Sequence, residues 1–150
     1  IVVTGHESEK VVAALGGMKV RRVHNPNFES GMASSLRVGV EAVKSADAAV
    51  IILGDMPRVP AAVIDRLIAA FNPTEHRSIV VPTHKGQFGN PVLWGSEHFE
   101  LLTGLQGDKG ARSLIAGLKS EATEIEADAG VLLDVDTPDD LARLKSTADF

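Results

Sequence analysis

Apolar and polar positions along this chain switch between two periods. Short β-branched runs predict strands over residues 1–4, 20–24, 48–53, 79–82, 92–94, 120–126 and 131–135. Between them, apolar positions three to four residues apart predict helices over 8–15, 32–45, 60–71, 96–102, 111–118 and 141–145. Leu36, Val40 and Val43 share one face of the 32–45 helix. Gly16-Gly17 and Asn72-Pro73 are stop signals, and Pro60 stands in a favoured first-turn position. Thr137-Pro138-Asp139-Asp140 reads as an N-cap, a first-turn proline and two acids suited to a helix start. Residues 85–91 read as a turn-rich loop, and 120–126 as an edge strand. Strands alternating with helices predict an α/β domain.

Composition narrows the chemistry. One domain with a real core fits 150 residues, of which 44% are hydrophobic and 23% charged. A net charge of −5 argues against a generic nucleic-acid or anionic-membrane surface, while leaving room for a local phosphate site. No cysteine is present, which excludes disulfides, thiolate zinc sites and thiol catalysis and fits a reducing, cytoplasmic compartment. No apolar run reaches the roughly 18 residues of a membrane span. The five histidines lack ligand spacing: His6, His76, His84 and His98 read as surface or supporting groups, and His24 borders a loop. Trp94 and Phe88 read as core.

Candidate chemistry gathers at strand ends. Val50-Ile51-Ile52-Leu53 predicts a buried strand that runs into Gly54-Asp55-Met56-Pro57. The carboxyl edge of a parallel sheet is where open α/β folds bind ligands. A carboxylate there suits Mg²⁺, which takes few protein oxygens. The alternative is an Asp that caps the next helix or turn. Leu133-Asp134-Val135-Asp136-Thr137-Pro138 offers a second acidic strand end, with Asp134 and Asp136 on one side by alternation. Asp55 and Asp136 from two strand ends could share one cation. Capping of the last helix is the alternative, and the favoured one for Asp134 taken alone.

The loop from Asn25 to Gly31 leads into a helix carrying Ser34 and Ser35, and such junctions present amides and hydroxyls to anions or ribose. Ordinary capping by Ser30 or Ser34 reads equally well. Gly107-Asp108-Lys109-Gly110 with Arg112 could meet a phosphate, or serve as a surface turn.

Taken in order, Asn25-Pro26, Gly31-Met32 with Ser34-Ser35-Leu36, Leu53–Pro57, Gly89-Asn90-Pro91-Val92, Gly107–Gly110 and Asp134–Pro138 resemble the MobA-like nucleotidyltransferases over essentially the whole chain. Within that family they are most similar to the molybdenum cofactor cytidylyltransferase branch, because the guanylyltransferase branch tends to carry asparagines where Asp134 and Asp136 stand. The resemblance implies a Rossmann-like, GT-A-like three-layer fold with a mixed, mostly parallel sheet. It implies transfer of CMP from CTP, or of another nucleotide, to the phosphate of molybdopterin or its molybdenum form, with loss of pyrophosphate. It further implies Asp55 and Asp136 as catalytic Mg²⁺ ligands. Asn25, Ser34, Ser35, Gly54 and Asp55 would neighbour the nucleotide, and Asn90, Asp108 and Lys109 the acceptor. A molybdoenzyme or its chaperone would receive the product. A sugar phosphate or methylerythritol phosphate is the alternative acceptor, and a non-catalytic pterin-binding or docking module the alternative role.

The family's first strand and Gly-rich triphosphate loop, with its Arg and Lys, have no counterpart in this sequence, where Ile1-Val2-Val3-Thr4 resembles the second strand. The resemblance therefore implies an incomplete domain with a strand missing between those at 1–4 and 48–53. Upstream residues or a partner chain would fill the gap. Little activity is expected from this chain alone, and base selection by the missing loop is not legible.

Overall fold

Most of these apolar runs become elements, and the positions where they stop set the site. A computed structural model of the chain describes residues 1–146, which divide into two units. One holds Ile1–Ala49 with Trp94–Glu121, the other Val50–Leu93 with the described residues from Ala122 onward.

In the first unit β1 (Val2–Thr4) and β2 (Arg22–His24) pair in parallel, with Val3 opposite Val23, and α1 (Ser8–Ala14) connects them. Among the described residues β1 pairs with no strand but β2. Helix α2 (Met32–Ala42) buries Ala33, Leu36 and Val40, the i, i+3, i+7 stripe of an amphipathic helix. It ends before Val43, three residues short of the predicted boundary. α2 packs on α4 (Phe99–Thr103), which buries Phe99 and Leu102. The predicted 96–102 helix is thus split, its first turn (Ser96–His98) being a 3-10 helix. His98, read as a surface or supporting group, is buried: its ring packs edge-on against the fully buried Trp94, centroids 5.9 Å apart. Ala111–Gly117 is also 3-10.

In the second unit β4 (Ile79–His84) pairs in parallel with β7 (Ala122–Glu126), and Ile79, Val80 and Val81 are fully buried. β4 also neighbours β6 (Val92–Gly95) in this sheet and pairs with β5 (Gln87–Phe88), antiparallel, so the sheet is mixed. The 85–91 loop expectation missed β5. Lys85 (φ 50°) and Gly86 (φ 76°) form a two-residue turn with positive φ at both positions, the hairpin connection that matches strand twist. α3 (Ala61–Ala70) lies on β4 through Val63 and Leu67, with Pro60 as its N-cap rather than its first residue. α5 (Pro138–Ser146) closes the described chain, as its start signals predicted. The unit boundary falls inside β3 (Ala48–Ile51) and β6 (Val92–Gly95), the latter buried throughout.

Two strand expectations fail. β3 stops at Ile51, its four residues are only partly buried, and Ile52 is 54% exposed. An apolar run suits a strand covered on both faces, but the run alone does not supply the cover. Residues 131–135 are not a strand. A 3-10 turn (Ala129–Leu132) occupies their start, and an irregular segment follows. Short apolar runs do not separate strand from helical turn by periodicity. Within this turn the backbone passes so close to Arg58 that a Cβ on Gly130 would lie 2.3 Å from the Arg58 carbonyl oxygen, so the position suits only glycine. The argument that alternation puts Asp134 and Asp136 on one side therefore has no strand to rest on.

Candidate active site

In the second unit a backbone bond brings the main chain at Asp55 beside the segment that carries Asp136. The Val135 N–H donates to the Asp55 carbonyl at 2.9 Å, which sets Asp136 one residue from that bond. Four residues upstream, the Val131 carbonyl accepts the Asn90 N–H at 2.9 Å. A Cβ on Gly89 would lie 2.5 Å from that same carbonyl oxygen, so only glycine allows the approach. The Asn90–Pro91 peptide bond is cis. Asn90 and Asp136 are thus attached to one segment.

The capping alternatives do not hold for these acids. Asp55 lies in a turn five residues ahead of the Pro60 N-cap of α3, where no side chain caps. At α5 the cap is Thr137 with Asp140. The Asp140 N–H donates to Thr137 Oγ1 at 3.1 Å, and the Thr137 N–H and hydroxyl donate to Asp140 Oδ2 at 3.0 and 2.6 Å. This reciprocal box satisfies the helix start without the side chain of Asp134 or Asp136. The Thr137 hydroxyl, then its amide and the Arg143 charge, hold the Asp140 carboxyl below its ordinary range, against a smaller opposing effect of desolvation. Asp55, Asp134 and Asp136 are exposed, and among the described residues no hydrogen bond or ion pair engages their carboxylates. Gly54 is exposed beside Asp55. Among the described residues no three acidic or histidine side chains gather in a way that could hold a metal ion.

The first unit gathers the amide and hydroxyl residues. Asn25, 1% exposed, follows β2. Its Nδ2 donates to Ser34 Oγ at 2.8 Å and Ser35 Oγ at 2.9 Å, and its Oδ1 accepts the Asn27 N–H at 3.0 Å. Both side-chain donors are spent, so Asn25 ties the 25–31 loop to the first turns of α2 and its backbone carries the loop. Ser30 and Ser34 do not cap α2 in the expected sense: the N-cap is Gly31, and both hydroxyls are directed to loop carbonyls.

The Gly107–Gly110 motif is seated on the same helix start. The Ala33 N–H donates to the Gly107 carbonyl at 2.9 Å. Gly31 has φ 102°, and a Cβ there would lie 2.4 Å from Gly107 C and 2.8 Å from Asp108 Oδ1. Asp108 therefore stands beside the N-terminus of α2, where the helix dipole favours a negative charge. Lys109 is exposed in this loop. Sequence reasoning missed Arg37, whose Nε donates to Thr103 O at 3.0 Å and Nη2 to Leu105 O at 3.2 Å. The one signal was a cation on the polar face of a helix, which by itself points nowhere. Ser30, Ser34, Arg37, Gln106 and Gly107 line a shallow cleft of about 320 Å³. The Asn25 cluster and the Asp55 pair belong to different units.

With this geometry in view, the sequence matches the MobA-like NTP transferase domain over residues 1–139. The purine catabolism protein PucB of Bacillus subtilis (strain 168) is 34% identical over 116 residues, covering 75% of this chain and 55% of PucB. The molybdenum cofactor cytidylyltransferase of Escherichia coli (strain K12) is 25% identical over 147 residues, covering 97% of this chain and 73% of that enzyme. The solved structure of Rv0371c from Mycobacterium tuberculosis H37Rv in complex with manganese superposes with a TM-score of 0.77 at 32% identity, covering 97% of this chain and 76% of that one. The chain thus spans little more than half the length of PucB.

Proposed function

Because the chain belongs to the MobA-like NTP transferase family, we propose that it transfers a nucleotidyl group to a phosphorylated acceptor, CMP from CTP to molybdopterin or its molybdenum form. Its α/β architecture is the Rossmann-like nucleotidyltransferase fold. In the proposed reaction an acceptor phosphate oxygen attacks the α-phosphorus of CTP. A new P–O bond forms, the bond to the bridging oxygen breaks, and pyrophosphate leaves with the electron pair. Such chemistry asks the protein for alignment and for neutralisation of charge rather than for a covalent intermediate.

The single observation that carries the reading is the Asp55–Asp136 pair. The two are fastened by the backbone bond between Val135 and Asp55, and their carboxylates have no partner among the described residues. Hard oxygen donors left free in this way fit a divalent cation. The manganese complex of Rv0371c supports a divalent metal, and Mg²⁺ is the proposed one. A bound cation supplies charge neutralisation on the phosphates. Asp55 and Asp136 would hold it. The proposed nucleotide neighbours are Ser34, Ser35, Gly54 and the Asn25-anchored loop, and the proposed acceptor neighbours are Asn90, Asp108 and Lys109. The relationship to the E. coli cytidylyltransferase supports CTP and molybdopterin. The 34% identity to a protein named for purine catabolism favours a second reading, the same transfer onto a different phosphorylated acceptor.

Pyrophosphate release tests both, with CTP or GTP, with Mg²⁺ or Mn²⁺, and with molybdopterin, a sugar phosphate or methylerythritol phosphate as acceptor. Release with CTP and molybdopterin, lost in Asp55→Ala and Asp136→Ala, is the expected result. Release with another acceptor alone moves the assignment to the second reading. A pterin bound without any release, equally well in both variants, would sink the catalytic reading in favour of a docking module.

A further inference from the structure

We propose that Arg37 is a positioning residue for the acceptor: it fastens the 104–110 loop to α2 and so fixes where Asp108 and Lys109 stand. The inference rests on the nucleotidyl-transfer reading above and adds to it a residue remote in sequence from Asp108 and Lys109, whose loop it holds.

Arg37 lies one helical turn beyond Ala33 on α2. Its guanidinium spans two carbonyls, Thr103 O at 3.0 Å and Leu105 O at 3.2 Å. Thr103 is the last residue of α4, whose terminal carbonyls have no partner within the helix. Arg37 therefore supplies donors that α4 lacks and anchors the chain as it leaves that helix. Two residues further on, the Ala33 N–H holds the Gly107 carbonyl at 2.9 Å. Gly31 leaves room for Gly107 and for the Asp108 carboxylate, and Gly110 lies so close to Met32 that a Cβ there would be 2.7 Å from its sulfur. The loop is thus fixed to α2 at a series of points, and Arg37 is the only one of them made by a charged side chain. The remaining ties are a backbone amide and close contacts at Gly31 and Gly110.

A lysine cannot replace this fork. It carries one compact ammonium on a flexible stem, whereas the guanidinium presents donors at fixed spacing. Because Arg37 is exposed on its outer side, water can take over the two carbonyls when it is removed. The expected loss is therefore loop order rather than folding.

The test uses Arg37→Met and Arg37→Lys in the full chain with two readouts. In Arg37→Met, amide hydrogen exchange over residues 104–110 should quicken about tenfold, the worth of one hydrogen bond to a charged group. The KM for the acceptor should rise by about the same factor, while the KM for the nucleotide changes less than about twofold. Arg37→Lys should recover part of both effects. Unchanged exchange with an unchanged acceptor KM overturns the proposal, and so does an equal rise in both KM values. If the unaltered protein transfers no nucleotide to any acceptor, the proposed function fails. The exchange comparison then still decides whether Arg37 restrains the loop.

Discussion

The amide cluster around Asn25 and the acidic pair Asp55–Asp136 solve opposite problems. At Asn25 a polar side chain is buried and every donor it has is used, on Ser34 and Ser35. Such a group stabilises a local shape and has little left for a ligand. At Asp55 and Asp136 the backbone makes the tie, and the carboxylates stay exposed without a protein partner among the described residues. There the shape comes from the main chain, and the proposed reading gives the side chains to a cation. The buried amide builds a frame, whereas the exposed carboxylates meet only solvent and stay open to a ligand.

That contrast predicts different consequences when each region is altered. The largest effect falls on activity: Asp55→Ala or Asp136→Ala in an active form of the protein should lower kcat by about 10²–10³, the usual cost of losing an electrostatic contact to the transition state. Urea denaturation of either variant should match the parent, and a large loss of stability would mean that the carboxylates belong to the frame after all. Next comes Gly31→Ala. Its φ of 102° combined with contact against the Gly107 backbone should cost about 1–3 kcal/mol, read from thermal unfolding. Asn25→Ala should cost about 1–3 kcal/mol in urea, because a buried amide network loses its centre. If instead its stability is untouched and nucleotide affinity collapses, Asn25 is a ligand contact and the contrast dissolves.

The smallest effects lie at the start of α5. Thr137→Ala removes the reciprocal cap and should cost about 1 kcal/mol, seen as reduced helicity or an earlier melt. The Asp140 carboxyl is held below its ordinary range, so its contribution is complete at neutral pH. It is lost as pH falls through the ordinary carboxylate range toward the lowered value. Acid titration of Asp140 by NMR should show the depressed midpoint in the parent and its return toward the ordinary range in Thr137→Ala. An unshifted midpoint in the parent would remove the hydroxyl as its cause.

The fold was legible wherever a signal was local. The α2 stripe of Leu36 and Val40, the buried run Ile79–Val81 and the Thr137 cap all depend on residues within a turn or two. β5 was missed because Lys85-Gly86 is not one of the strong hairpin dipeptides, although it adopts their conformation. The 131–135 segment was misread because its shape is imposed from outside, by Arg58 against Gly130 and by Asn90 on Val131. The acids at 55 and 136 could be picked out as charged residues ending apolar runs. Arg37 could not, since its partners stand 66 and 68 residues away and nothing in its own neighbourhood records them.

The segment from Val131 to Asp136 is held at both ends by main-chain atoms, Val131 O at one and Val135 N at the other. Between these anchors Leu133 and Asp134 are exposed. What such a stretch must transmit from one generation of sequence to the next is a count, not a spelling. Substitutions at Leu133 or Asp134 leave both anchors in place, while one residue inserted or deleted there carries Asp136 out of step with Asp55.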